Sequence, residues 1–259
     1  MVSDQASYMI RAAKLLSDSL YPELRHVTCL CHCLSLVCEE VRKMYPNVDN
    51  LVTNLKNVIA KSSRRLQLLR EKTRVTIPSL PVVTRCGTWI EFCRFVFLNL
   101  EGIIEFARCI KDDDCSSVFF LISSLEEENL RSELSAIYDL QMIAKTIKSL
   151  ERRNLPVQTQ KALLDEVQSS IPERLKLKLR SSLPKNPSLE EIIRLSNEDT
   201  RYQFAPLTSV DVERCFSKEK HILTSSRQSL TVENSRRLSI CYINANSILE
   251  LSEDIIELE

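Results

Sequence analysis

Apolar residues recur at intervals of three and four along most of the chain, the spacing that places them on one face of an α-helix. Residues 4–20 show this pattern through Ala6, Met9, Ile10, Ala13 and Leu16. The same spacing predicts further helices over residues 30–44, 50–72, 89–110, 130–150, 163–171, 188–197 and 231–251. Thr208 or Ser209 is a suitable N-cap for another short helix, which runs through Phe216. The sequence therefore predicts a mainly α protein.

Short segments between these helices have other patterns. Residues 26–29 are predicted to form one buried strand. Pro46 and residues 47–50 (Asn-Val-Asp-Asn) predict a break, and the proline-containing residues 74–84 predict an extended linker. Residues 174–180 alternate leucine with charged residues, as a strand does, but their helix-favouring neighbours leave both structures open.

Glycine is scarce, because the 259 residues include only Gly87 and Gly102, whereas average usage is roughly 7%. Tight turns and phosphate-binding loops need glycine for positive φ angles and close approach. A β-rich fold, a Rossmann site and a P-loop are therefore not expected.

Positive and negative charges balance, with 35 Lys and Arg against 35 Asp and Glu. No overall field draws the chain onto nucleic acid or an anionic membrane, so a DNA contact would need a local basic patch. The sequence has no run of about 20 apolar residues, which predicts no membrane-spanning segment. The polar residues 1–4 do not resemble a signal peptide, and an intracellular location is expected.

Most of the ten cysteines lie within apolar helical patterns, among them Cys93, Cys109 and Cys241. Disulfide frameworks are typical of small secreted domains that have little core of their own. We therefore predict that these cysteines are buried free thiols.

Asp4 and the segment from His26 to Cys33 are the first candidates for chemistry. Asp4 precedes a predicted helix, where an acid stabilises the first turn; the alternative is a metal-binding carboxylate. The second segment carries soft ligands at His26, Cys29, Cys31, His32 and Cys33. Zinc needs four converging ligands, which five residues so close in sequence cannot all supply. A buried Cys29 and a hydrogen-bonded His32 are predicted instead of a metal site.

A basic run is the candidate DNA contact. It comprises Lys61, Arg64, Arg65, Arg70, Lys72 and Arg74, with Arg85 nearby. Such a run can contact phosphates, although a solvated helix face has the same composition. No aromatic residue is interleaved for base stacking.

Four segments of the chain, in the right order, resemble hAT-superfamily DNA transposases. Residues 4–9 resemble the family's Asp-containing segment at the end of a ribonuclease H-like strand, and residues 26–34 its Cys-x-x-His block. Residues 84–89 resemble its Thr-Arg-Trp-Gly-Thr-Trp segment, and residues 209–230 its C-terminal dimerisation block. The matched structural residues are Cys29, His32, Trp89 and Arg214.

The resemblance implies a domain organisation and a catalytic site. It implies a partial ribonuclease H-like core over residues 1–45, a helical insertion domain over 46–205 and a dimerisation region over 206–259. The family uses two Asp and one Glu to hold two divalent metals, usually Mg²⁺, for phosphodiester cleavage and strand transfer. Asp4 would be the second Asp and Glu213 the final Glu.

Three departures from the family pattern bear on activity. The first Asp and the early strands would lie upstream of Asp4, the N-terminal zinc finger has no counterpart, and Cys86 stands where the family has a Trp. We therefore expect no transposase activity from this chain alone, with Mg²⁺ bound only if the core were complete.

The favoured function is a transposase-derived module that self-associates, in the nucleus or the cytoplasm. A C-terminal apolar stripe would pair the two copies through Leu238, Tyr242, Ala245 and Leu249. The alternatives are a metal-dependent nuclease, a non-catalytic DNA-binding protein and a helical scaffold without activity.

Overall fold

The computed structural model describes residues 1–82, 86–113, 115–183, 186, 188–210, 212–214, 231–238 and 240–241. The protein is mainly helical, as predicted. Its two short strands are β1 (Val2–Ser3) and β2 (Val27–Thr28). The helices are α1 (Ser7–Ser19), α2 (Leu30–Met44), α3 (Pro46–Ala60), α4 (Ser63–Thr73), α5 (Cys86–Leu98), α6 (Leu100–Cys109), α7 (Ser116–Leu125), α8 (Leu130–Tyr138), α9 (Gln141–Leu150), α10 (Val157–Ser170), α11 (Glu173–Ser182) and α12 (Leu189–Glu198).

The two strands form a parallel pair with α1 as the connection between them. Val2 lies opposite Val27 and Ser3 lies opposite Thr28. Parallel strands cannot be joined by a tight turn, and a helix is the usual crossover. The strand predicted within residues 26–29 is confirmed, and the pair brings the residues after β1 beside the start of α2.

The region from Pro46 to Thr73 differs from its prediction. The break predicted at Pro46 is confirmed, since α2 ends at Met44 and α3 begins at Pro46, but its predicted extension over residues 47–50 is wrong, because these residues lie in α3. A proline in the first turn loses nothing, since its missing N–H has no helical partner there. The single helix predicted over 50–72 is also wrong: α4 is a separate helix, capped by the Ser62 hydroxyl, which accepts from the Arg65 N–H at 3.3 Å.

Two other long predicted helices are each divided in the structure. Residues 89–110 form α5 and α6, which separate at Asn99, and residues 130–150 form α8 and α9, which separate after Tyr138. Helix α7 was not predicted. Residues 174–180 belong to α11, so the strand alternative is wrong.

The core of the first part of the chain is centred on α2, whose inner face is Leu34, Val37, Cys38 and Val41, all fully buried. Helix α2 packs against α5, α9 and α11. Helix α3 packs against α7, and α5 also packs against α8 and α9. The pattern of residues 30–44 thus predicted its buried face correctly.

Helices α4 and α6 approach closely at Gly102. A Cβ atom at this position would lie 2.8 Å from the carbonyl oxygen of Lys72, closer than real carbon–oxygen contacts allow. Glycine is therefore required at position 102 for the close approach of α4 and α6.

The chain divides into two compact units, Met1–Thr208 and Ser209–Glu259. All the elements named above lie in the first unit. In the second, residues 210, 212–214, 232–238 and 240–241 are helical. No helix of the described residues is long and apolar enough to cross a bilayer.

The cysteines whose side chains are described form no disulfide, as predicted, but not all of them are buried. Cys29, Cys31, Cys33, Cys38 and Cys93 are buried, whereas Cys109 and Cys241 are exposed. The prediction of burial is therefore wrong for these last two. Helical spacing alone does not tell an inner face from an outer one, and Cys109 is the last residue of α6.

Candidate functional site

Asp4 lies directly after β1, at the carboxyl end of the strand pair, and its side chain is exposed. Its Oδ1 accepts a hydrogen bond from the backbone N–H of Ala6 at 3.2 Å. Residue 6 is the N-cap of α1 and has no capping side chain of its own. Asp4 therefore supports the turn that leads into α1 and keeps a carboxylate at the strand end.

His26 and Ser3 form a buried pair across the strands. The Ser3 hydroxyl donates to the carbonyl oxygen of Asp4 at 2.9 Å, so it accepts from His26 Nε2, which lies 2.8 Å away. Burial, together with the charge of the nearby N-terminal ammonium, lowers the pKa of His26. The pair fixes β1 to the residue before β2 through a neutral imidazole.

The Cys-x-x-His segment opens α2. Cys29 is the N-cap residue and is buried, and His32 lies half-buried in the first turn. The Cys31 thiol donates to the carbonyl oxygen of Ile147 at 3.7 Å, which links α2 to α9. Across the described part of the chain, no three His, Cys, Asp or Glu side chains converge as metal ligands do.

Two neighbouring side chains at the same end of the strand pair were not identified from the sequence. Gln5 Nε2 donates to the Cys33 sulfur at 2.9 Å and to the carbonyl oxygen of Ser182 at 3.1 Å. Asn186 Nδ2 donates to the carbonyl oxygen of Thr28 at 2.8 Å. Gln5 lies within the segment already quoted, but Asn186 is distant in sequence and nothing in its surroundings marks it.

The basic run has two kinds of side chain. Lys61 and Arg64 are exposed. Arg65 is only 17% exposed and forms an ion pair with Asp113, with Nε 3.0 Å from Oδ2. Arg65 therefore links α4 to the segment after α6, while Arg85 lies outside the described residues.

Trp89 lies buried on α5 beneath the Arg42 guanidinium, which is 5.8 Å from the ring centroid. That distance suits a cation–π contact. Arg42 also donates from Nε and Nη2 to the two carboxylate oxygens of Asp49, each at 3.0 Å. Trp89 thus joins α5 to α2 and α3, a structural position.

In the second unit, Glu213 and Ser209 form two hydrogen bonds with each other. The Ser209 hydroxyl donates to Glu213 Oε1 at 3.0 Å, and the Glu213 N–H donates to the carbonyl oxygen of Ser209 at 3.0 Å. Glu213 is exposed, Arg214 is half-buried and Leu238 is exposed. The remaining predicted stripe residues, Tyr242, Ala245 and Leu249, lie outside the described residues.

The chain matches no protein-family model, no curated protein and no solved structure.

Proposed function

We propose that this chain is a transposase-derived interaction module that pairs with a second copy of itself through its C-terminal unit. The proposal starts from the four segments that resemble hAT transposases, whose C-terminal region pairs protomers. It rests on one structural observation, the exposed apolar side chain of Leu238, together with the spacing of the residues that follow.

Leu238 is the described member of a regular apolar stripe. Its side chain lies on a helix and is 42% exposed. Leu238, Tyr242, Ala245 and Leu249 follow one another at intervals of four, three and four, the spacing of a coiled-coil seam. Pairing two copies would remove this apolar surface from water, a gain of about 25 cal/mol per Å².

The charge of the chain favours self-association. Its formal net charge at pH 7 is zero, so two copies do not repel each other as a whole. Among the described residues of the C-terminal unit, Glu233 already pairs with Arg237 at 3.1 Å, so this pair of charges is satisfied within one copy.

The arrangement around Asp4 supports descent from a ribonuclease H-like core. The resemblance implies an Asp at the end of a strand, and Asp4 follows β1 directly. It also implies a Cys-x-x-His segment next to that strand, and Cys29 opens α2 directly after β2.

The residues of the first unit do not fit a site for paired Mg²⁺ ions. Such a site needs several converging oxygen ligands. One oxygen of the Asp4 carboxylate accepts from Ala6 N–H, and no cluster of metal-binding side chains forms within the described ranges. We therefore derive no catalytic step, and the proposal is confined to association.

Light scattering coupled to size-exclusion chromatography tests the proposal. The wild-type chain is expected to elute as a dimer at about 50 μM, a concentration above the dissociation constant of an ordinary specific interface. Leu238→Glu is expected to elute as a monomer, because a carboxylate would be buried unpaired at the seam.

Ile240→Glu is the matched control. Ile240 is also helical and is 50% exposed, but two residues along a helix correspond to a turn of about 200°, away from the stripe. This variant should remain dimeric. A wild-type chain that is monomeric at this concentration, or equal dissociation by both substitutions, would contradict the proposal.

Phosphate binding by α4 is a second candidate function, favoured by the exposure of Lys61 and Arg64. Binding to duplex DNA, followed by fluorescence anisotropy, should weaken steeply between 50 and 200 mM salt, by roughly tenfold or more for several phosphate contacts.

Arg64→Glu should weaken binding. Arg65→Ala should instead lower stability, since Arg65 is held by Asp113. Binding that is unchanged by Arg64→Glu would exclude this surface.

A further inference from the structure

Two adjacent aromatic side chains of α7 lie on the surface of the first unit. Phe119 is 67% exposed and Phe120 is 54% exposed. Their rings meet edge to face, with centroids 5.7 Å apart. Apolar side chains scattered singly over a surface are ordinary, but two neighbouring aromatic rings offer a ligand two π faces.

Contacts at the start of α7 place Phe119 beside the start of α4. Arg65, in the first turn of α4, forms an ion pair with Asp113. Hydrogen bonds from the Ser117 N–H and then from the Arg65 side chain lower the pKa of the Cys115 thiol, so the guanidinium also contacts the N-cap residue of α7. Phe119 follows Cys115 by four residues, and its N–H donates to the Cys115 carbonyl oxygen at 3.3 Å. Residues four apart share a helix face, and long side chains lean towards the helix N-terminus. The Phe119 ring therefore lies on the side of α7 that Arg65 reaches.

The same junction carries an excess of positive charge. The ion pair of Arg65 and Asp113 is neutral as a whole. Among the described residues around it, four basic side chains are exposed, namely Lys61, Arg64, Arg108 and Lys111. The turn between α6 and α7 opposes them with two further acids, Asp112 and Asp114. The balance at this junction attracts the phosphates of a nucleic acid.

Basic side chains beside exposed aromatic rings define the ligand. Proteins that bind single-stranded nucleic acid hold the backbone with basic residues and stack the bases on aromatic rings. A duplex keeps its base faces stacked on one another and offers none to Phe119. A membrane fits less well, since a plane of anionic lipid at Phe119 would also meet the exposed Glu126, which lies seven residues further along the same face, and its exposed neighbours Glu127 and Glu128.

We propose that the start of α4 and Phe119 of α7 together bind single-stranded DNA, with phosphates on Lys61 and Arg64 and an unpaired base stacked on the Phe119 ring. The inference rests on the phosphate contact proposed above for α4, and it narrows the preferred ligand from a duplex to an unpaired strand. The basic run has no aromatic residue of its own in the sequence, and α7 supplies one through the fold.

Fluorescence anisotropy with labelled strands of about 15 nucleotides tests the proposal. The strands are oligothymidine, an abasic strand with the same phosphates, and a duplex. We expect the wild-type chain to bind oligothymidine roughly tenfold more tightly than the abasic strand, because base stacking adds to the phosphate contacts. Phe119→Leu keeps an apolar side chain without a π face, so it should remove this difference and leave binding of the abasic strand unchanged.

Phe204→Leu is the matched control. Phe204 is 51% exposed and lies after α12, outside the α4–α7 junction, so the tenfold preference should persist in this variant. Arg64→Glu should weaken binding of the abasic strand as well, which separates the phosphate contact from stacking.

The outcomes that contradict the proposal are distinct. Equal wild-type affinities for oligothymidine and the abasic strand would overturn stacking and leave the phosphate contact intact, whereas binding of neither strand would overturn both. Equal effects of Phe119→Leu and Phe204→Leu would overturn the assignment to Phe119. Tighter binding to the duplex, to oligouridine or to phosphatidylserine vesicles than to oligothymidine would overturn the assignment to single-stranded DNA.

Discussion

His26 is the residue whose charge state most directly affects the strand pair. Its ring donates to Ser3 across the sheet, and burial lowers its pKa below the ordinary value. In the unfolded chain the imidazole takes up a proton near pH 6.5, whereas the folded protein resists protonation. The unfolded state therefore binds more protons as the pH falls, so folding stability decreases below about pH 6.5.

Urea denaturation at pH 8 and pH 5.5 measures this dependence. We expect the midpoint of the wild-type chain to fall at the lower pH. His26→Gln keeps a donor for Ser3 but cannot titrate, so its midpoint should fall less over the same interval. Equal falls in the two proteins would show that His26 does not contribute to the pH dependence.

The contacts of individual side chains were the part of the site least accessible from the sequence. Arg65 resembles its basic neighbours along the chain, but the structure pairs it with Asp113, 48 residues later. Gln5 and Asn186 likewise become notable only through packing that joins distant segments. Local patterns carry no information about such partners, because the side chains involved are ordinary polar residues.

At the scale of elements, Gly102 controls the approach of α6 to α4. Gly102→Ala places a methyl group against the Lys72 carbonyl oxygen, where neither helix backbone yields easily. We expect a loss of about 1–3 kcal/mol of folding free energy, measured by urea denaturation.

Gly87→Ala is the control for the other glycine. A Cβ there meets Ile147 Cδ1 at 3.5 Å, an ordinary contact. Alanine is also the better helix former by about 1 kcal/mol, so this variant should be unchanged or more stable. Equal destabilisation by the two substitutions would show that the close approach to the Lys72 carbonyl oxygen does not explain the glycine at position 102.

Helix positions were predicted well, but helix ends were not. Apolar spacing continues across Asn99 and across the junction of α8 and α9, so periodicity alone joins helices that the structure separates. Asn99 Nδ2 donates to the carbonyl oxygen of Phe95 at 2.8 Å, a side-chain contact that helps to end α5. Such competition for helix carbonyls leaves little signal in the sequence. The start of α3 at a proline is likewise hard to recognise from the sequence.

At the scale of the molecule, association through Leu238 should depend little on salt. The proposed seam is apolar, and the chain has no net charge for salt to screen. We expect the dimer dissociation constant, measured by sedimentation velocity, to be nearly the same at 50 and 500 mM sodium chloride. A large rise with salt would indicate an electrostatic interface and contradict the apolar stripe.

The predicted organisation into three regions followed the resemblance, whereas the structure divides the chain once, after Thr208. Residues 1–45 and 46–205 lie in the same compact unit, in which α2 packs directly against α5 and α9. The sequence could not reveal this shared core, since each helix shows an apolar face without showing which other face covers it.

Some cysteine thiols are buried and others are exposed, so their labelling rates can report how often the protein opens. Cys33, Cys38 and Cys93 lie on α2 and α5, which pack together, whereas Cys109 and Cys241 face solvent. A maleimide label would thus react with the exposed thiols in seconds. It would react with the buried thiols only during transient opening of the native state. The delay between labelling of the exposed thiols and labelling of the buried thiols reports how often the protein core becomes transiently accessible to solvent.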